Sequence, residues 1–328
     1  MTAEPLLVVR ELVKHFPLGS GVLSRPRAWV RAVDGVSFRV KNGESFGLVG
    51  ESGCGKTTLG RMILRLIDPT SGSIRFNGTD ITRLNRRDMR AVRQRMQFIF
   101  QDPYSSLDPR MKVEATVTEP LRAMGKMGKS SRRETAVALL ERVGLRAADL
   151  KKYPHEFSGG QRQRIGIARA LCVKPDLVVA DEPVSALDVS IQAQVINLME
   201  DLREDFNLSY IFISHDLSVV EYISDRIAVM YLGTLFELAP TERFSYAPRH
   251  PYTQALVTAV PQPDPHVRIH SFAMEGDVPN PAAPPPGCTF HPRCAHAFER
   301  CAVEKPPLKR VSSHHFVACW LNGGRGLE

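Results

Sequence analysis

Gly50-Glu51-Ser52-Gly53-Cys54-Gly55-Lys56-Thr57-Thr58 is the stretch on which the reading of the chain turns. It fits G-x-x-x-x-G-K-[ST], with Gly50, Gly55, Lys56 and Thr57 in the fixed places. Glu44-Ser45-Phe46-Gly47-Leu48-Val49 just before it reads as a short strand. Leu59, Met62, Ile63, Leu66 and Ile67 just after it recur at helical spacing. Strand, glycine loop and helix together make a phosphate cradle. The glycines let backbone N–H groups curl around phosphate oxygens, and the helix N-terminus adds unpaired donors. Ser52, Gly53, Cys54 and Thr58 complete the cradle, Lys56 reaches the β and γ phosphates, and the Thr57 hydroxyl ligates Mg²⁺. A plain glycine turn capping a helix would not need Lys56 and Thr57 in register, so the spacing predicts a nucleoside triphosphate site.

Two further apolar strands end in matching chemistry. Asp176-Leu177-Val178-Val179-Ala180-Asp181-Glu182-Pro183 closes on paired carboxylates, the pattern of a Mg²⁺-holding Asp181 followed by a general base, Glu182, that polarises an attacking water. Tyr210-Ile211-Phe212-Ile213 leads to His215, which at a strand's carboxyl end faces the nucleotide side of an α/β fold and can help hold that water. Between them, Ser158-Gly159-Gly160-Gln161 opens a helix with small residues at an N-terminus ready for an anion. One phosphate loop already occupies one triphosphate. A second anion-ready helix is explained by a dimer in which each chain presents it to the other's nucleotide, or more simply by a well-capped helix with a basic face.

The remaining pattern is α/β with an antiparallel opening. Leu6 to Phe16 and Arg31 to Val40 read as strands, Lys41-Asn42-Gly43-Glu44 as a hairpin turn, and Pro69 to Gly78 as a turn, a short strand and another turn. Residues 113–144 read as largely helical, with Leu139, Leu140 and Val143 on an apolar face. From Pro261 to Gly287 the composition predicts extended chain with little regular structure. At 328 residues and 43% hydrophobic content the chain can bury a sizeable core. No apolar run approaches the ~18 residues that cross a bilayer, and Met1 to Leu7 lacks the features of a secretion signal, so the expectation is a cytosolic protein. The net charge of +8 permits nucleic acid or anionic lipid as partner without choosing, and the arginine-rich run from Arg83 to Arg95 reads as a solvated helix face.

Cys288, Cys294, Cys301 and Cys319 follow C-x5-C-x6-C-x17-C, wider than the close pairs of a zinc ribbon. In a reducing compartment such a cluster suggests metal before disulfide, and four thiolates suit Zn²⁺ or a [4Fe–4S] cluster equally on spacing, with His291 and His296 as spare ligands.

The chain resembles the ATP-binding subunits of ABC transporters along nearly its full length. Ser158-Gly159-Gly160-Gln161 looks like the family signature, with Phe157 where many members carry leucine. Ile99-Phe100-Gln101-Asp102-Pro103-Tyr104-Ser105-Ser106-Leu107-Asp108-Pro109, the Asp181-Glu182-Pro183-Val184-Ser185-Ala186-Leu187-Asp188 run, and the tail motifs His250-Pro251-Tyr252-Thr253-Gln254-Ala255-Leu256 and Gly287-Cys288-Thr289-Phe290-His291-Pro292-Arg293-Cys294 narrow it to the dipeptide/oligopeptide importers, nearest the second of their two paired ATPases, the F subunit. The resemblance implies a P-loop cassette with a RecA-like core, an antiparallel β subdomain, a helical subdomain at about 102–157, and an ATP-binding domain at 1–240 followed by a cysteine-rich extension at 241–328. It implies that Phe16 stacks on adenine, Gln101 links Mg²⁺ and water to the permease, Asp188 lies in a loop exchanged across the dimer, and His215 is the switch histidine. It also tilts the four cysteines toward [4Fe–4S] over Zn²⁺. The implied partners are a second ATPase chain (a heterodimer, with a homodimer as the alternative), two permease subunits and, indirectly, a solute-binding protein, at the cytoplasmic face of the membrane. Cargo other than peptides (nickel, glutathione, sugars) is the first alternative. A nucleic-acid-associated ATPase is the second, and no nucleic acid is expected: about a hundred residues between Lys56 and Ser158 leave no room for the long coiled coil of that class.

Overall fold

The computed structural model describes residues 4–19, 27–102, 104–125, 127–260, 276–322 and 325–326. Two compact units emerge, one from Met1–Val40, Ser45–Thr82 and Ser214–Glu328, the other from Lys41–Glu44 and Arg83–Ile213.

In the first unit, β1 (Leu7–Leu18) turns Leu7, Val9 and Leu12 into the core and pairs antiparallel with β2 (Ala28–Val40). β3 (Ser45–Val49) is buried at every position, as a strand covered on both faces must be, and leads through the glycine loop into α1 (Lys56–Ile63). β4 (Ser71–Phe76) and β5 (Thr79–Asp80) complete an antiparallel sheet of order β2-β1-β4-β5. Two local expectations fail here. Lys41–Glu44 closes no hairpin: β2 pairs with β1, whereas β3 runs parallel to a later strand, because the five buried positions of β3 demand an interior place that Asn-Gly turn chemistry cannot override. The α1 helix also stops before Leu66, which is 48% exposed, since Arg65 takes a left-handed φ of 52° and ends the ladder.

The second unit begins with α2 (Arg86–Arg95), capped by the Asn85 carboxamide accepting from Arg87 and Asp88 N–H. Its one buried side chain is Met89, so the arginines lie on a solvated face. After β6 (Met96–Ile99), the predicted helical stretch is α3 (Val113–Val117), α4 (Glu119–Met124) and α5 (Lys129–Arg142), with Leu139, Leu140 and Val143 buried. α6 (Gly159–Leu171), β7 (Leu177–Asp181), α7 (Val189–Phe206) and β8 (Ser209–Ile213) follow. β7 runs parallel between β6 and β8, which sends their carboxyl ends to one edge.

Returning to the first unit, α8 (Leu217–Ile223) precedes β9 (Arg226–Tyr231), the parallel partner of β3, and β10 (Thr234–Pro240). α9 (Thr241–Tyr246) and α10 (Pro251–Thr258) follow. Residues 261–275 of the predicted extended segment lie outside the described residues, and 276–287 carry neither helix nor strand. α11 (Glu299–Val303), β11 (Lys309–Ser312), β12 (His315–Val317) and β13 (Arg325–Gly326) follow in the tail, with β12 pairing on β10 and β13 on β11.

Candidate functional site

The glycine loop sits where the sequence predicts, between a buried strand and a helix N-terminus. Gly55 holds a φ of 109°, and a Cβ there would lie 2.0 Å from the Ala32 carbonyl oxygen, so no other residue fits. Lys56 is 4% exposed, and its ammonium donates to the Gly50 carbonyl at 2.6 Å and the Glu51 carbonyl at 3.0 Å. Its partners are neutral carbonyls, so its positive charge stays available to an anion. Cys54 Sγ lies 3.8 Å from that ammonium, and burial raises the thiol's pKa. Phe16 is half-buried on β1, with the Lys14 ammonium 5.1 Å from its ring centre. His215 is exposed just past β8, where the Asp216 carboxylate caps α8.

In the second unit the carboxyl ends of adjacent parallel strands bring two expected residues together. Gln101 follows β6 and Glu182 follows β7, and the Gln101 Nε2–H donates to Glu182 Oε2 at 2.8 Å. Glu182 holds a left-handed φ of 46°, a conformation that costs about 1–3 kcal/mol outside glycine, and its N–H is tied to the Ile213 carbonyl at 2.8 Å. That strain aims the carboxylate out of the strand end. Asp181, immediately before it, is 2% exposed. Ser158 caps α6 reciprocally with Gln161: the Gln161 N–H donates to Ser158 Oγ at 3.4 Å and the Ser158 N–H to Gln161 Oε1 at 3.1 Å. Asp188 is exposed at the start of α7, beside Val189 at 81% exposure.

Cys288, Cys294, Cys301 and Cys319 line one cavity in the first unit. Burial is the main cause raising their thiol pKa at Cys288, to about 11, and at Cys294 and Cys319, with neighbouring thiols adding to it. Among the described residues, no group of three or more His, Cys, Asp or Glu stands close enough to hold a single metal ion. His250 lines the same cavity. Its Nδ1 accepts from the Tyr252 N–H at 3.0 Å, so the proton resides on Nε2, which is directed at the Ala318 backbone. Burial drives its pKa down to about 4, against the opposing pull of Glu237.

Sequence reasoning gave no role to Glu51, Tyr252 or Arg293, yet they meet at the glycine loop. The Arg293 guanidinium grips the Glu51 carboxylate at 2.9 and 3.1 Å and donates to the Tyr231 hydroxyl at 3.3 Å. The Glu51 N–H donates to the Tyr252 hydroxyl at 3.1 Å. Burial works against the Arg293 charge, but Glu51 and Tyr231 outweigh it and raise its pKa.

Comparison with known proteins matches residues 33–185 to the family described as ABC transporter, and residues 236–301 to the C-terminal region of oligopeptide/dipeptide transporters. A putative peptide import ATP-binding protein of Brucella ovis is 53% identical over 319 residues, covering 97% of this chain and 98% of its own. The oligopeptide transport ATP-binding protein AppF of Bacillus subtilis is 52% identical over 321 residues, 97% of this chain and 98% of its own. Among solved structures, a dimeric ATP-binding cassette in a post-hydrolysis state with ADP and Pi covers 72% of this chain and 98% of its own at 26% identity and a TM-score of 0.64. A Clostridium perfringens cassette from the cbiONQ ABC transporter complex covers 75% of this chain and 92% of its own at 25% identity and a TM-score of 0.65.

Proposed function

The chain belongs to the ATP-binding subunits of peptide-importing ABC transporters, and on that premise we propose that it is the ATP-hydrolysing motor of an importer for dipeptides or oligopeptides. The observation that carries the catalytic part is the 2.8 Å hydrogen bond from Gln101 to a backbone-strained Glu182 at adjacent strand ends. In this reading the Lys56 loop of one chain and the Ser158 helix of its partner enclose ATP. Glu182 accepts a proton from the attacking water, Gln101 orients the carboxylate, and Lys56 with the Ser158-helix amides carries charge developing on the γ phosphate. His215 helps hold the water, Phe16 stacks on adenine, and Asp188 belongs to the loop shared across the dimer. Thr57, Asp181 and Gln101 would hold Mg²⁺, which neutralises phosphate charge when bound.

The dimer reading is supported by the dimeric relative and by the exposed loop around Asp188 and Val189. Phe100 and Tyr104 are 39% and 58% exposed at the start of the helical region we assign to 102–157, a surface suited to gripping two permease subunits fed by a solute-binding protein. Among the described residues no helix is long and apolar enough to cross a membrane, which suits a peripheral motor at the cytoplasmic face. The match of residues 236–301 to the family's C-terminal region supports reading 1–240 as the ATP-binding domain and 241–328 as the extension.

The four thiols around one cavity fit the donor chemistry of a [4Fe–4S] cluster, with Zn²⁺ the alternative. Its role would be to tie together a tail with few regular elements. Affinity capture of the tagged chain from gently solubilised native membranes tests the whole assignment. Two permeases and a distinct ATPase are expected, and a co-captured solute-binding protein would distinguish peptide cargo from nickel, glutathione or sugar. Recovery only with nucleic acid or ribosomes would overturn it.

A further inference from the structure

We propose that Arg293 and Tyr252 are positioning residues of the phosphate loop, acting on it through Glu51, so that the C-terminal tail is part of the ATP-binding apparatus. This rests on ATP binding at the Lys56 loop. Glu51 is held at all three of its polar groups: its N–H by the Tyr252 hydroxyl, its carboxylate by the Arg293 fork, and its carbonyl by the Lys56 ammonium. Gly50 and Gly55 are fixed by close backbone neighbours, but Gly53 has nothing within 4 Å of where a Cβ would lie, so the stretch from Glu51 to Gly53 has little of its own to select one conformation, and an external anchor removes that freedom before nucleotide arrives. The Arg293 side chain is 7% exposed and that of Glu51 22%, which keeps the bidentate pair out of bulk solvent and its geometry fixed. Charge matters as well as shape. An unpaired carboxylate one residue beyond Gly50 would repel incoming phosphates, and Arg293 neutralises it.

Arg293 lies next to Cys294, and Tyr252 follows His250 by two residues, so both anchors come from segments that line the cysteine cavity. The Tyr231 ring joins them: it meets Tyr252 at 4.8 Å and Phe290 at 5.5 Å between centroids, and its hydroxyl receives the third Arg293 bond. Disturbance of the cavity therefore reaches Glu51 through one short set of packed residues.

The test uses the full-length chain in its transporter complex, a fluorescent ATP analogue as probe, and variants R293M, R293K, E51Q and E51Q/R293M. R293M should weaken probe affinity about tenfold and raise KM for ATP with kcat largely kept, and R293K should fall between it and wild type. The double variant should not compound the two losses and should bind the probe tighter than R293M, because both act on one tether and it no longer carries the unpaired carboxylate. E51Q leaves the tail untouched, so it carries the test even if R293M does not fold. Lower thermal stability with unchanged affinity, or effects of E51Q and R293M that multiply independently, would overturn the proposal. A wild type that fails to bind the probe would overturn the ATP site itself, and the tether with it.

Discussion

The phosphate loop and the cysteine-bearing tail are both irregular backbone in the first unit, and they are held by opposite means. Beyond the Glu51 anchor the loop is shaped by close backbone contact: Gly55 fits against the Ala32 carbonyl only because it lacks a side chain, and Lys56 folds back onto the carbonyls five and six residues before it. The tail is shaped from outside, by aromatic rings. Phe290 touches Tyr231, Phe236, His250 and Tyr252 with ring centroids 5.3–6.4 Å apart, and Glu237, fully buried, accepts hydrogen bonds from Arg249, His250 and His315. A loop shaped by close backbone contact tolerates almost no added atom, whereas a region shaped by distant packing loses order gradually.

That contrast orders the expected effects. The largest belongs to Gly55→Ala: with a Cβ 2.0 Å from a backbone oxygen, the loop must shift, and ATP binding should be lost at a stability cost of about 4 kcal/mol or more, read by calorimetry and denaturant melts. Next is Cys294→Ser in the tail. Anaerobically purified protein should lose its visible chromophore and the tail should melt before the rest, whereas a colourless wild type with stoichiometric zinc would contradict the iron–sulfur reading. Acid should act on the tail through His250. It is neutral in the folded state with a pKa of about 4 and titrates near 6.5 when unfolded, so the unfolded chain binds more protons below 6.5. Stability should therefore fall as pH drops from about 6.5 toward 4, by about 3 kcal/mol at most, and His250→Phe should flatten that slope in pH-dependent melts. The smallest effect is Gly53→Ala. Nothing lies within 4 Å of its added Cβ, so only the left-handed φ of 78° is strained, for about 1 kcal/mol. If Gly53→Ala proved as damaging as Gly55→Ala, close packing would not be what shapes the loop.

How much of this was legible in the sequence follows the same division. The loop, the Glu182 strand end and the Ser158 cap are contiguous runs whose chemistry depends on spacing, and each stands on the predicted element. Gln101 was readable by family likeness, but its bond to Glu182 arises from the parallel pairing of β6 with β7, which no local pattern encodes. The apolar pattern after Lys56 overran the helix because a left-handed Arg65 outweighs two apolar residues at the right period. The turn at Lys41–Glu44 misled because a short apolar strand looks alike in a hairpin and in a buried parallel sheet. Arg293 was visible only as a basic residue between cysteines. Its partner is 242 positions away, and the packing of the tail against the loop, not sequence proximity, makes the pair.

The central claim is that this chain hydrolyses ATP with Glu182 as the base. The direct measurement compares bound ATP and phosphate release for wild type and Glu182→Gln in the assembled transporter. Glu182→Gln should retain ATP in a closed dimer while turnover falls by about 10²–10⁴. Phosphate release at the wild-type rate would contradict the assignment.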